Sequence, residues 1–130
     1  MEKHELRFAV DAADIDELGH VNNVVYLRWV QDAAVSHWMA SASPADQDAL
    51  VWVVLRHEID YRKPAKAGDG IVLRTWVGSA TRLKFERLTE ILRESDGVVL
   101  ASARTLWCPL DRRTGRPSAV SGEVRERFSR

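Results

Sequence analysis

Cysteine is almost missing from this chain: Cys108 stands alone, which excludes an internal disulfide and gives no support for a zinc site. It sits in the apolar run Leu106-Trp107-Cys108, where a thiol acts as a small packing group. Long hydrophobic runs are missing too. The longest, Ala49 to Leu55, is far too short to cross a bilayer. The opening Met1-Glu-Lys-His-Glu-Leu-Arg7 has no apolar core for a signal peptide. Neither sign of charge is in excess, with nineteen Lys and Arg against nineteen Asp and Glu. No global field therefore draws the chain to nucleic acid or to an anionic membrane. There is no internal repeat, low-complexity tract or linker-like shift of composition. These absences predict a reducing, cytoplasmic address, no membrane or nucleic-acid partner, and a single domain over residues 1–130.

What is present is ordinary globular material: 45% hydrophobic and 29% charged residues, enough in 130 residues to bury one core. Leu6, Phe8 and Val10 alternate with Arg7, Ala9 and Asp11, the period of a half-buried strand. Residues 11–20 are polar and read as a loop. Asn22 is a good helix N-cap, and Asn23, Tyr26, Leu27, Val30, Ala33, Ala34, His37 and Trp38 then recur at intervals of three and four. Ser41, Ser43 and Pro44 end that helix. Strands follow over 51–61, with Val51, Val53, Leu55, Ile59 and Tyr61 on one face, and over 71–77. Residues 82–94 suit either a helix or a strand, and their context favours a strand with a bulge near Arg87. A last strand over 98–108 presents Val99, Ala101, Ala103 and Thr105, small enough to admit a helix against the sheet. Asp111 to Pro117 is a basic, turn-rich loop, and 120–128 a short terminal helix. One apolar helix among consecutive strands predicts an α+β fold, an antiparallel sheet curled around that helix.

Chemistry concentrates in Asp14-Ile-Asp16-Glu-Leu-Gly19-His20-Val-Asn22-Asn23-Val-Val-Tyr26. A loop carboxylate lies a few residues before a helix whose first amides, near Asn23, Val24 and Val25, have no intrahelical partner. Those amides carry the positive end of the helix dipole. A carbonyl oxygen resting there is polarised, and one such donor is worth on the order of 10²–10³ in rate. Asp16 beside it has two uses: general base for water, or nucleophile on the carbonyl. Spacing alone leaves a plainer alternative open, in which Asp14, Asp16 and Glu17 only stabilise the helix start electrostatically.

The stretch resembles the hotdog-fold thioesterases of the 4-hydroxybenzoyl-CoA thioesterase type, with Asp14, Asp16, Gly19, Asn23 and Tyr26 at the positions of their signature. The likeness continues through His57-Glu58-Ile59-Asp60-Tyr61-Arg62-Lys63-Pro64, Gly68-Asp69, Ala101 to Thr105 and Thr114-Gly115-Arg116-Pro117, nearly the whole chain. It implies a hotdog fold and hydrolysis of an acyl-CoA thioester to a free acid and coenzyme A. By the same resemblance Asp16 is the catalytic carboxylate, and the Asn23 amide polarises the thioester carbonyl. Gly19, His20, Tyr26 and Val30 are expected to contact substrate, the acyl chain running along Tyr26 and Val30. No cofactor is implied beyond the coenzyme A of the substrate, and the assembly expected is a homodimer or homotetramer with sites between subunits. His20 is also reminiscent of plant acyl-carrier-protein thioesterases, but Leu18 stands where those have Asn. Two alternatives thus remain, an acyl-carrier-protein thioesterase and a non-catalytic acyl-CoA-binding protein. A hydratase of this fold is disfavoured, since Gly19 occupies the position where its His follows Asp14.

Other polar residues read as structural. His57 and His37 fall on apolar faces, where a hydrogen-bonded core histidine is the expectation, and no histidines pair at metal-ligand spacing. Ser36, Ser79 and Ser102 lack a nucleophile-elbow context. Glu58 is expected to be solvated or ion-paired. Two basic groups compete for the phosphates of coenzyme A: Arg62, Lys63, Lys66, Arg82 and Lys84, or Arg112, Arg113 and Arg116. Trp29, Trp52, Trp76 and Trp107 are expected in the core or an interface, since no basic stripe accompanies them.

Overall fold

A computed structural model describes residues 3–128. Strand β1 (His4–Ala9) leads through a short 3-10 turn (Ala12–Asp14) to the long helix α1 (Asn23–Ser41). A short helix α2 (Pro44–Ala49) precedes four strands, β2 (Leu50–Tyr61), β3 (Gly70–Ala80), β4 (Phe85–Arg93) and β5 (Val99–Asp111), and helix α3 (Gly122–Phe128) closes the described chain. The strands form one five-stranded sheet in the order β1-β3-β4-β5-β2, every neighbouring pair antiparallel. This is the hotdog arrangement, with α1 held in the curl of the sheet.

α1 begins where expected because Asn22 has extended backbone and its side chain accepts the Val24 N–H at 3.0 Å. Its buried side is Val25, Tyr26, Trp29, Val30, Ala33, Ala34, His37 and Trp38; Asn23 is exposed and Leu27 half-buried. The N-terminal half of that side packs on Ile71, Leu73, Ile91, Leu100, Ala101 and Ala103. The C-terminal half, from Ala34 and Trp38, packs on Val77, Phe85, Trp107 and the α3 residues Val124 and Phe128. Fully buried Ala33 shares one core cluster with the small β5 residues Ala101 and Ala103. The outer face of the sheet is charged, with Arg74 bridging Glu5 and Arg104 bridging Glu86.

Three expectations change. The face assigned to 51–61 is half inverted: β2 slips register between Val54 and Arg56, so Trp52 and Val54 pack inward while Val53 and Leu55 are exposed. Beyond the slip the phase is as expected, and Ile59 reaches the core. His57 keeps that phase, with Nδ1 3.0 Å from Thr105 Oγ1, but it is exposed and not a core residue. Secondly, β4 runs unbroken past Arg87. The irregularities fall at Gly78-Ser79 of β3 and between Ile91 and Leu92. Gly78 leaves room there for the Glu86 carboxylate, which accepts the Ser79 N–H at 3.1 Å and would have to move aside for a Cβ. Thirdly, Trp76 lies on the outer face under the Lys3 ammonium, 4.2 Å from its ring centre. The segment after α1 is also more than a stop: Ser43 caps α2 through the Asp46 N–H at 3.2 Å.

His37 is buried, as its place on the helical stripe implied, and its Nδ1 accepts from Arg87 Nη1 at 3.0 Å. That bond fixes a neutral ring. Burial, then the Arg87 charge, then His4 push its pKa from 6.5 to about 3. The unfolded chain binds a proton between those values and the native state does not, so stability falls as pH drops through about 6.5 towards 3. Between pH 7 and pH 5 the loss assignable to this ring is about 1–2 kcal/mol. Urea unfolding at both pH values is expected to show that loss in the parent and to lack it in His37→Gln. Equal losses in the two proteins contradict the account, since His4 and His57 titrate in both.

Candidate active site

The segment between β1 and α1 is knitted by its own backbone. Asp11 caps the 3-10 turn through the Ala13 N–H at 2.9 Å. Beyond it the Asp16 N–H donates to the His20 carbonyl at 2.7 Å, and the Gly19 N–H to the Asp16 carbonyl at 3.0 Å. That tight return needs a positive φ, and Gly19 supplies it at +78°. The Asp16 carboxylate then accepts the Leu18 and His20 amides on Oδ1, at 2.9 and 3.3 Å. Among the described residues Oδ2 has no donor. One carboxylate oxygen is thus spent on orientation and the other faces outward.

The loop is fixed at both edges. Val21 N–H donates to the Ala65 carbonyl at 2.9 Å and Asn22 N–H to the Asp14 carbonyl at 3.0 Å. The Tyr26 hydroxyl accepts the Ala65 N–H at 2.8 Å. Tyr26 is buried, and burial raises its phenol pKa against a smaller opposing effect of that bond. Asp14 is tied elsewhere, in a two-point pair with Arg28 at 3.2 and 2.5 Å.

At the helix start the three expected amides separate into two classes. Val24 N–H is capped by the Asn22 side chain, and Val25 N–H donates to the Asn22 carbonyl at 2.9 Å. Only the Asn23 N–H lacks an acceptor among the described residues. The Tyr61 hydroxyl donates to the Asn23 carbonyl at 3.1 Å and its ring meets Tyr26 edge to face.

Asp16, His20, Asn23 and Tyr26 line one open cleft of about 480 Å³. Tyr61, Arg62, Lys63 and Pro64 complete its far wall. Of the two basic groups, Arg62 and Lys63 are at the cleft; Arg112 instead spends its guanidinium on the carbonyls of Asp48 and Gln47 at 2.8 and 2.9 Å. Gly19 shapes the turn and is not part of the lining. Val30, expected along the acyl chain, is fully buried in the core and also takes no part in the lining. Tyr61 was missed as a site residue; its signal was its place at the end of β2, just before the basic pair.

Residues 10–128 match the sequence model of the thioesterase-like superfamily. The long-chain acyl-CoA thioesterase FadM of Escherichia coli (strain K12) is 25% identical over 122 residues, covering 88% of each chain. A chloroplastic acyl-[acyl-carrier-protein] hydrolase of Cuphea viscosissima is 30% identical over 77 residues, 59% of this chain and only 19% of that protein. Among solved structures, the probable thioesterase YbaW from Escherichia coli superposes with a TM-score of 0.82 at 26% identity, covering 95% of this chain and 94% of that one. A thioesterase from Thermus thermophilus, solved with coenzyme A and Zn, gives 0.83 at 26% identity, covering 95% and 90%. The match spans nearly the whole chain and its loop, helix start and sheet: the chain belongs to the thioesterase-like superfamily.

Proposed function

We propose that the chain hydrolyses acyl-CoA thioesters, releasing a free carboxylic acid and coenzyme A. The observation that carries this reading is one cleft shared by a pre-oriented carboxylate, Asp16, and the single unpartnered amide of a helix start, Asn23. The thioester carbonyl oxygen rests on the Asn23 N–H, at the positive end of the dipole. Water attacks the carbonyl carbon as Asp16 takes its proton; the C–S bond breaks and the thiolate leaves, to be protonated as coenzyme A thiol. Direct attack by Asp16 through an anhydride uses the same groups. His20 lies beside them, placed to orient water or substrate. Arg62 and Lys63 on the rim suit the phosphates of the nucleotide.

The similarity to FadM and to a thioesterase solved with coenzyme A supports acyl-CoA as substrate. The Cuphea relative favours an acyl-carrier protein as a second reading. The assembly proposed is a homodimer or dimer of dimers. β2 is an edge strand with Val53 and Leu55 exposed, which suits pairing with a second copy. Among the described residues no helix is long and apolar enough to cross a membrane.

Two outcomes are expected. Asp16→Asn keeps an Oδ1 acceptor for the Leu18 and His20 amides, so the loop and coenzyme A binding persist while turnover falls about 10²–10⁴-fold. Thiol release from short, long and aromatic acyl-CoAs, and from acyl-carrier protein, measures this and ranks the carriers; parental rates in the variant overturn the reading. Asn22→Ala uncaps the Val24 amide and is expected to cost about 1 kcal/mol in urea unfolding. Asn22→Ser, which can still cap, restores most of it.

A further inference from the structure

The inward row of β4 runs Phe85, Arg87, Thr89, Ile91, and Arg87 is only 2% exposed. Both of its hydrogen bonds leave from Nη1, to His37 Nδ1 at 3.0 Å and to Thr75 Oγ1 at 3.1 Å. Among the described residues no carboxylate lies within ion-pair distance and Nε and Nη2 have no acceptor. The Phe128 ring, 4.8 Å from the guanidinium carbon, offers a π face but no anion. His37 is uncharged, so among the described residues nothing beside Arg87 neutralises it. Burial pulls its pKa to about 9, which leaves it cationic at neutral pH.

Arg87 opens onto a chamber of about 50 Å³ walled by Ala34, Trp38, Trp52, Trp107 and Phe128. Among the described residues the indole N–H groups of Trp52 and Trp107 are buried without a partner, and they present almost no surface of their own. The walls around Arg87 are otherwise almost wholly apolar and supply no side-chain acceptor for its guanidinium. Buried donors in native proteins are nearly always satisfied, so a missing acceptor is informative. The chamber alone is about a third of the roughly 150 Å³ that takes up benzene in an apolar core, so it fits a head group and not a whole ligand. It shares Trp38, Trp52 and Trp107 with a wider surface groove of about 460 Å³, where a chain or ring can continue. None of these residues lines the Asp16 cleft.

We propose that this chamber is a second binding site, for a monocarboxylate with an apolar chain or ring: the carboxylate meets the Arg87 guanidinium, and the apolar body lies along the tryptophans. A guanidinium prefers a carboxylate to a neutral oxygen, and apolar walls disfavour a fully hydrated inorganic anion. A thioester carries no charge at its acyl carbon, so the site separates acids from their thioesters. If the proposed hydrolysis holds, such an acid is its product; that link rests on the hydrolysis, the binding does not.

The test is titration of the full chain with hexanoate, benzoate, hexan-1-ol and sodium sulfate, followed by calorimetry and tryptophan fluorescence. Expected is one saturable carboxylate per chain, at least tenfold weaker binding of the alcohol, and no competition from sulfate at matched ionic strength. Ala34→Val, which fills the chamber without touching the charge, and Arg87→Met each weaken hexanoate at least tenfold, while Asp16→Asn binds it as the parent does. Equal affinity for acid and alcohol in the parent overturns the proposal even where Arg87→Met fails to fold. Unchanged binding in Ala34→Val overturns it too, and displacement by sulfate overturns the ligand class. Loss of binding in Asp16→Asn reassigns the acid to the catalytic cleft. Absence of thiol release with intact hexanoate binding overturns the hydrolysis alone.

Discussion

The site depends on how one short loop divides its hydrogen bonds. Asp16 Oδ1 is consumed by the amides of Leu18 and His20, and the main chain around it by His20 and Gly19, so the second oxygen has a fixed direction without any supporting side chain. At the helix start Asn22 accepts two of the three first-turn amides and leaves Asn23. A donor at the end of a dipole and an acceptor a few residues upstream are thereby held by backbone geometry, the least mobile support a small domain offers. Under the proposed hydrolysis, polar groups held ready in this way need no reorganisation as charge develops between them. The Val21–Ala65 and Tyr26–Ala65 bonds tie the same loop to the segment after β2, so the two walls of the cleft are one unit.

The rest of the fold serves that placement. Fully buried Ala33 on α1 and Ala101 on β5 share one core cluster, small side chains that let the helix lie close against the sheet. The same closeness explains why Val30 is core: one turn beyond Tyr26, the inner side of α1 has already met Ile71, Leu73 and Leu100. Further along, bulk returns. Trp38, Trp52, Trp107 and Phe128 hold helix and sheet apart, and the chamber beside Arg87 lies among them. The two ends of one helix thus carry different environments, polar and open at Asn23, aromatic and closed at Trp38.

Much of this was legible because α1 and most strands obey their periods. The N-cap at Asn22, the stripe from Tyr26 to Trp38, the small row of β5 and the presence of Asp16 and Asn23 in one cleft follow from local rules that tertiary packing did not override. What was not legible depended on one-residue slips. A bulge in β2 turns Val53 and Leu55 outward, and nothing in Val51 to Tyr61 marks it, since apolar residues fill both faces before Arg56. Ser43-Pro44-Ala45-Asp46 does carry a capping signal for α2, hidden by its brevity. The two basic groups were indistinguishable by composition; only the fold brings Arg62 and Lys63 to the cleft while Arg112 binds carbonyls.

Arg87 shows how a pattern conflict is resolved. Its strand has Phe85, Thr89 and Ile91 in one phase, and an arginine among them invites a bulge that turns the charge to solvent. The structure keeps the phase and buries the charge, which is the costly choice unless something offsets it. Thr75, a neutral His37 and the Phe128 face offset it only in part, because none bears a negative charge. A sequence selected for stability alone has a simple remedy, an apolar residue at 87 that also fills the chamber. Keeping a cation without a carboxylate partner among the described residues beside an unfilled space breaks more than one local rule at one place. Such clustered exceptions mark function more often than accident.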